Sequence, residues 1–234
     1  MDSPEQILLL PLWYVVFLLS LTCHEAAHAL AARLGGDDTA YLGGQVTLNP
    51  MPHVRREPIG TLAIPFATFF MTGGSWMMGW ASAPYDPLWE DRHPLRAAAM
   101  AIAGPLANLA LFLIGFAILR IGLDAGVWID PLDAVSADRL VVPAAADAGV
   151  LDAVARLASI TLFLNLVLFL FNLLPLPPLD GASVLAGLLP PARRLRDWLR
   201  ASPLGSLGGL VLAWLVFSRL FGPVWRVVDA ALYR

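Results

Sequence analysis

The run from Ile7 to Arg33 is apolar over almost its whole length, yet its last third carries His24, Glu25 and His28. About 20 consecutive apolar residues are enough for a helix to cross a bilayer. Ionisable groups are expensive in hydrocarbon and mark a function there by default. Histidines four apart share one side of a helix, where their ring nitrogens can converge on one metal ion. Glu25 follows His24 directly, where it can reach a metal-bound water rather than the metal. The pattern points to a zinc hydrolase with its active site inside the membrane. The competing reading is a buried histidine pair, hydrogen-bonded between helices with Glu25 as partner.

The rest of the chain agrees with a membrane setting. Only 14% of its 234 residues are charged and 58% are hydrophobic, against about 25% charged in a soluble domain. Further apolar stretches cover Ile59 to Trp80, Ala97 to Ile121, Ala153 to Leu176 and Leu204 to Phe221. The expected fold is an all-α polytopic membrane helix bundle of about four full spans. Segment 59–80 is broken by Pro65 and Gly73-Gly74 and is read as re-entrant or broken. Between Tyr41 and Asn49 the alternation Gln45-Val46-Thr47-Leu48 suggests a short β-hairpin. Residues 122–152 form an acidic loop with six aspartates and one arginine. We read 1–234 as one domain, with a catalytic core at about 7–185 and a C-terminal helical region at 190–234. A net charge of −3 gives no basic surface for nucleic acid. Cys23 is the sole cysteine, which excludes an intrachain disulfide. The N-terminus has no positive region before its apolar run, so the first helix is expected to insert and stay.

Two histidines leave a catalytic zinc one protein ligand short. Cys23 adjoins His24 and diverges from it by about 100° on a helix. His53 and His93 stand among ordinary charged residues in polar loops. Asp180 is the one acid between Asp152 and Asp197, and it follows a long apolar helix through the Pro-rich break Pro175-Leu176-Pro177-Pro178. Such a break lets the carboxylate turn inward where it lines a cavity; the alternative is a helix cap. Asn172, eight residues earlier, can donate to a developing oxyanion or hold a peptide strand, or it can bond between helices. For Asn108 and Asn165 the interhelical role is preferred, and Gly104-Pro105 reads as close helix approach with a local kink.

Three motifs occur in one order: His24-Glu25-Ala26-Ala27-His28, Gly104-Pro105-Leu106-Ala107-Asn108, and Asn172-Leu173-Leu174-Pro175-Leu176-Pro177-Pro178-Leu179-Asp180-Gly181. Together they resemble the site-2 protease family of intramembrane zinc metalloproteases. The likeness runs from about residue 20 to 185, and Tyr41 to Gly60 resembles the small prokaryotic members without regulatory domains. It implies one zinc ion on His24, His28 and Asp180, Glu25 as general base, and cleavage of transmembrane protein substrates near the cytoplasmic face of the cell membrane. The resemblance is to members without a PDZ-like insertion or a C-terminal nucleotide-binding pair, and neither is expected here. A metal-ion transporter and a non-catalytic metal-binding scaffold are the rival readings.

Topology gives an independent check. A shared zinc requires the end of the first helix and the end of the 153–176 helix to lie on one face, so segment 59–80 cannot be an ordinary crossing. The site face would then carry Arg33, Arg55, Arg56, Arg92, Arg96, Arg193, Arg194, Arg196 and Arg200. The other face would have the acidic N-terminus and the aspartate-rich loop with Arg120 and Arg139. Positive-inside bias makes the site face cytoplasmic. Arg226 and Arg234 fit that scheme poorly if 204–221 crosses fully.

Overall fold

The computed structural model describes residues 4–131, 136–145 and 149–234. Asp2, Asp133 and Asp147 of the expected acidic segments lie outside them. Among the described residues, four helices are long and apolar enough to cross a membrane: α1 (Pro4–Leu34), α6 (Pro94–Asp124), α7 (Gly149–Asn172) and α10 (Pro203–Tyr233). Between them run the short helices α2 (Thr39–Leu42), α3 (Met51–Arg56), α4 (Ile64–Met71), α5 (Pro87–Arg92), α8 (Asp180–Leu188) and α9 (Pro190–Arg200). The all-α membrane bundle expected from the sequence is the architecture observed.

α6 is the central element, packed against both α1 and α7. His24 meets Asn108 while His28 meets Met100, so α1 and α6 run antiparallel. α7 returns antiparallel to α6, and α10 runs back along α7 through Phe171, Phe217, Phe163 and Phe221. α10 continues to Tyr233, whose hydroxyl donates to Leu140 O. Running antiparallel to α7, it carries Arg226 and Arg234 to the end of the bundle away from Asn172 and Asp180.

Segment 59–80 is not a span. A π-helical turn at Ile59–Ala63 leads into α4, and these 13 residues reach only about 20 Å at 1.5 Å per residue, short of a hydrocarbon core of about 30 Å. Gly73 and Gly74 then turn the chain with φ of +64° and +80°, which a side chain disfavours. The return leg is extended and brings Trp80 N to Gly60 O at 3.1 Å. A Cβ on Gly60 would lie 2.3 Å from Trp80 O, so the hairpin closes only around glycine. Thr68 Oγ1 accepts from Met78 N at 3.0 Å, which satisfies part of the extended backbone.

Two local expectations are corrected. Tyr41 to Asn49 holds no strand: Tyr41 and Leu42 end α2, and bends follow. Gln45 N bonds back to Ala40 O at 3.0 Å, while Thr47 and Asn49 side chains take the amides of Asn49 and Met51. Local side-chain acceptors leave the segment no need of a partner strand. The two-stranded ribbon lies instead within 122–152, where β1 (Trp128–Ile129) pairs antiparallel with β2 (Val142–Pro143). In addition, α7 stops at Asn172, ahead of Pro175, rather than reaching Leu176.

Candidate metal centre

Three elements converge on one point. α1 supplies His24 and His28, both 6% exposed. After α7 the chain turns through Leu173–Leu179, including a cis Pro177–Pro178 bond, and Asp180 opens α8. Leu179 takes the N-cap position, so the carboxylate of Asp180 is turned toward the histidines instead of capping the helix. His24 Nε2 and His28 Nε2 are 3.0 Å apart, and Asp180 Oδ2 lies 3.1 Å and 3.4 Å from them. Bonds of 2.0–2.1 Å to a tetrahedral zinc separate its ligands by about 3.3–3.4 Å. Among the described residues these three form the one such group of donor atoms.

The donor chemistry fits a cation. Met100 O lies 2.8 Å from His28 Nδ1. A carbonyl only accepts, so Nδ1 carries the proton and Nε2 offers a lone pair. Asp180 Oδ2 is buried and accepts no hydrogen bond. With His28 neutral, two acceptors would face each other across 3.4 Å, an arrangement that burial penalises unless a cation or a proton joins them.

Gly104 faces the same point from α6. A Cβ there would stand 2.6 Å from His24 Nε2 and 2.3 Å from His28 Nε2. The glycine does permit close approach, as its sequence suggested, but what approaches are the ring nitrogens themselves. Asn108, one turn further on the same face of α6, places Oδ1 2.6 Å from His24 Nδ1 and passes a hydrogen bond from Nδ2 to Asn165 Oδ1 at 2.8 Å. The Gly104–Asn108 spacing of four was the signal available for this role.

A cavity of about 200 Å³ opens beside the donors, lined by Glu25, His28, Asp180, Ser82, Tyr85 and Arg200 among others. Glu25 is 4% exposed, and its carboxylate belongs to this cavity rather than to the donor group. Burial, with Glu90 alongside, raises the Tyr85 phenol above its ordinary value. Across the mouth, Arg196 of α9 binds Glu90 of α5 at 2.5 Å, and Arg193 binds Asp91. Arg200 donates to Ser183 Oγ at 3.1 Å and to Pro178 O at 3.3 Å. Asn172, at the end of α7, turns its amide back to Leu168 O at 3.0 Å and does not border the cavity.

The sequence profile of Peptidase family M50, the site-2 protease family, matches residues 12–216. The chain belongs to this family. It is similar to YwhC of Bacillus subtilis, named as a candidate zinc metalloprotease, at 38% identity over 189 residues covering 80% of this chain and 74% of YwhC. Rip2 of Mycobacterium tuberculosis, named likewise, is 32% identical over 214 residues, covering 91% of this chain and 71% of Rip2. No solved structure matches the chain. Within this M50 peptidase all three motifs of the sequence fall inside the matched range and close on one centre.

Proposed function

We propose that this chain is an intramembrane zinc metalloprotease that hydrolyses peptide bonds within or near transmembrane segments of membrane proteins, from the cytoplasmic face. The observation that carries the reading is the convergence of His24 Nε2, His28 Nε2 and the unpartnered Asp180 Oδ2 beside Glu25, at the end of a membrane-length helix. Zinc held there would supply a Lewis acid that polarises a peptide carbonyl and brings a water pKa to about 7.

Glu25 accepts the proton of the attacking water and returns it to the amide nitrogen as the C–N bond breaks. Proton transfer of this kind contributes about 10²–10⁴-fold. We assign Asn172 to the oxyanion or the substrate backbone; its amide, held on Leu168 O in this structure, would have to turn to serve there. A cavity of about 200 Å³ holds water and a short extended peptide but not a helix about 10 Å across. The substrate helix therefore unwinds before cleavage. The nine arginines at the site end support its cytoplasmic orientation.

The test compares purified wild type with Glu25→Gln and Asp180→Ala on a membrane-anchored reporter, with bound zinc measured in parallel. Glu25→Gln should keep one zinc per chain and lose at least about 100-fold in cleavage rate. Asp180→Ala should lose the metal as well. Unchanged cleavage by Glu25→Gln overturns the protease reading, and zinc uptake into proteoliposomes that survives this change would mark a transporter.

A further inference from the structure

Behind His24 lies a chain of buried polar groups on three helices. His24 Nδ1 meets Asn108 Oδ1 at 2.6 Å, and Asn108 Nδ2 donates to Asn165 Oδ1 at 2.8 Å and to Ser20 O at 3.4 Å. Asn165 Nδ2 donates to Ser20 Oγ at 2.9 Å and to Thr161 O at 2.9 Å. Ser20 Oγ in turn donates to Val16 O at 2.7 Å. Ser20, Asn108 and Asn165 are 0–1% exposed, and neither Ser20 nor Asn165 reaches the metal donors or lines the cavity.

The direction of this chain is fixed by its ends. An amide is nearly symmetric in shape, so its orientation follows from its partners. Thr161 O and Val16 O are carbonyls and can only accept. Asn165 must therefore present Nδ2 to Thr161 and Oδ1 to Asn108. Ser20 spends its one proton on Val16 O and accepts from Asn165. With Asn165 Oδ1 and Ser20 O both accepting, Asn108 must turn its NH₂ toward them and its oxygen toward His24. His24 then carries its proton on Nδ1 and offers the Nε2 lone pair to a metal. Reversing any member sets two acceptors or two donors against each other without water, which is costly.

His28 needs no such support, because Met100 O is a main-chain acceptor that cannot turn round. The acceptor for His24 is a side-chain amide with a donor at its other end. We infer that Asn165 and Ser20 are positioning residues for the metal centre: they lock the Asn108 amide and thereby the tautomer of His24. This rests on the metal reading given above. Second partners of metal-bound histidines are commonly worth 10–100-fold in affinity; here the effect extends one residue further out.

The experiment measures zinc affinity of the purified full-length chain by chelator competition. Asn165→Leu should weaken zinc about tenfold or more, although Asn165 is not a ligand. In metal-free protein with labelled histidine, ¹⁵N shifts should report Nδ1–H at His24 in wild type and a move toward Nε2–H in Asn165→Leu. Zinc affinity of Asn165→Leu within twofold of wild type, or an unmoved tautomer signal, overturns the inference. If Asn165→Leu fails to fold, Asn165→Ser removes the acceptor from reach of Asn108 without apolar bulk and takes its place in both measurements. Absence of zinc from the wild type would instead overturn the metal reading itself.

Discussion

Gly104 stands so close to His28 that a Cβ on the glycine would lie 2.3 Å from His28 Nε2. That distance is inside the contact of any two heavy atoms that are not bonded, and neighbouring His24 Nε2 would be met at 2.6 Å. Alanine is favoured over glycine by about 1 kcal/mol in a helix interior, so Gly104→Ala should leave α6 intact or firmer while displacing both rings. The expected outcome is loss of bound zinc and of cleavage while the helical content of the metal-free protein is kept, read by metal analysis and circular dichroism in detergent.

In the proposed reaction, a cavity of about 200 Å³ beside the donors calls for local unwinding of the substrate helix. Placing one glycine in the helical segment of a reporter near its cut site lowers the unwinding free energy by about 1 kcal/mol. Cleavage of that reporter should rise about fivefold at sub-saturating concentration. Equal rates for alanine and glycine reporters would show that unwinding does not limit the reaction.

Arg196 is 4% exposed and bound to Glu90 at 2.5 Å. Removing one partner of a buried pair leaves an uncompensated charge, at a cost of about 3 kcal/mol or more. Glu90→Ala should destabilise the protein by less than that, about 1 kcal/mol, because Asp197 at 2.7 Å keeps the guanidinium paired. Replacing both partners with leucine should recover most of the loss. Unfolding of the three variants in detergent measures the difference.

Asp37 ties the end of α1 to the start of α5. Burial works against its charge, yet Thr39 Oγ1, Asp86 N and Thr39 N all donate to it, and together they hold the carboxyl below its ordinary value. A depressed carboxylate contributes stability that is fully present above the unfolded value of about 3.9 and fades as pH falls through the folded one. Asp37→Asn should therefore melt lower than wild type at pH 7, and the gap should narrow below about pH 4. A gap that stays constant with pH would place the effect elsewhere.

The spans and the donor set could be read from the sequence because they contrast with their surroundings: long apolar runs, and rare ionisable residues within or just beyond them. Asp180 was found as a lone acid after a proline break, and the structure brings it to the two histidines. What escaped was encoded by small or neutral residues. Gly104 has no side chain to announce that it faces two imidazoles. Asn108 looked like any interhelical amide until its partner was known to be His24. The alternation at Gln45 to Leu48 was too short to demand a strand, and Thr47 and Asn49 satisfied the backbone locally. The hairpin at 59–80 was legible through Pro65, Gly73-Gly74 and the parity of the crossings taken together.

The two histidines and the aspartate are separated by more than 150 residues, with Asn108 and Asn165 between them. A ribosome adds residues in order, at about 5–20 per second. For many seconds, then, α1 sits in the bilayer with two donors and no third. Its amide supports arrive with α6 and α7, and the last donor emerges only with α8. A half-made chain among other nascent membrane proteins carries no complete centre. The order of its parts defers the complete donor set until α8 has been made.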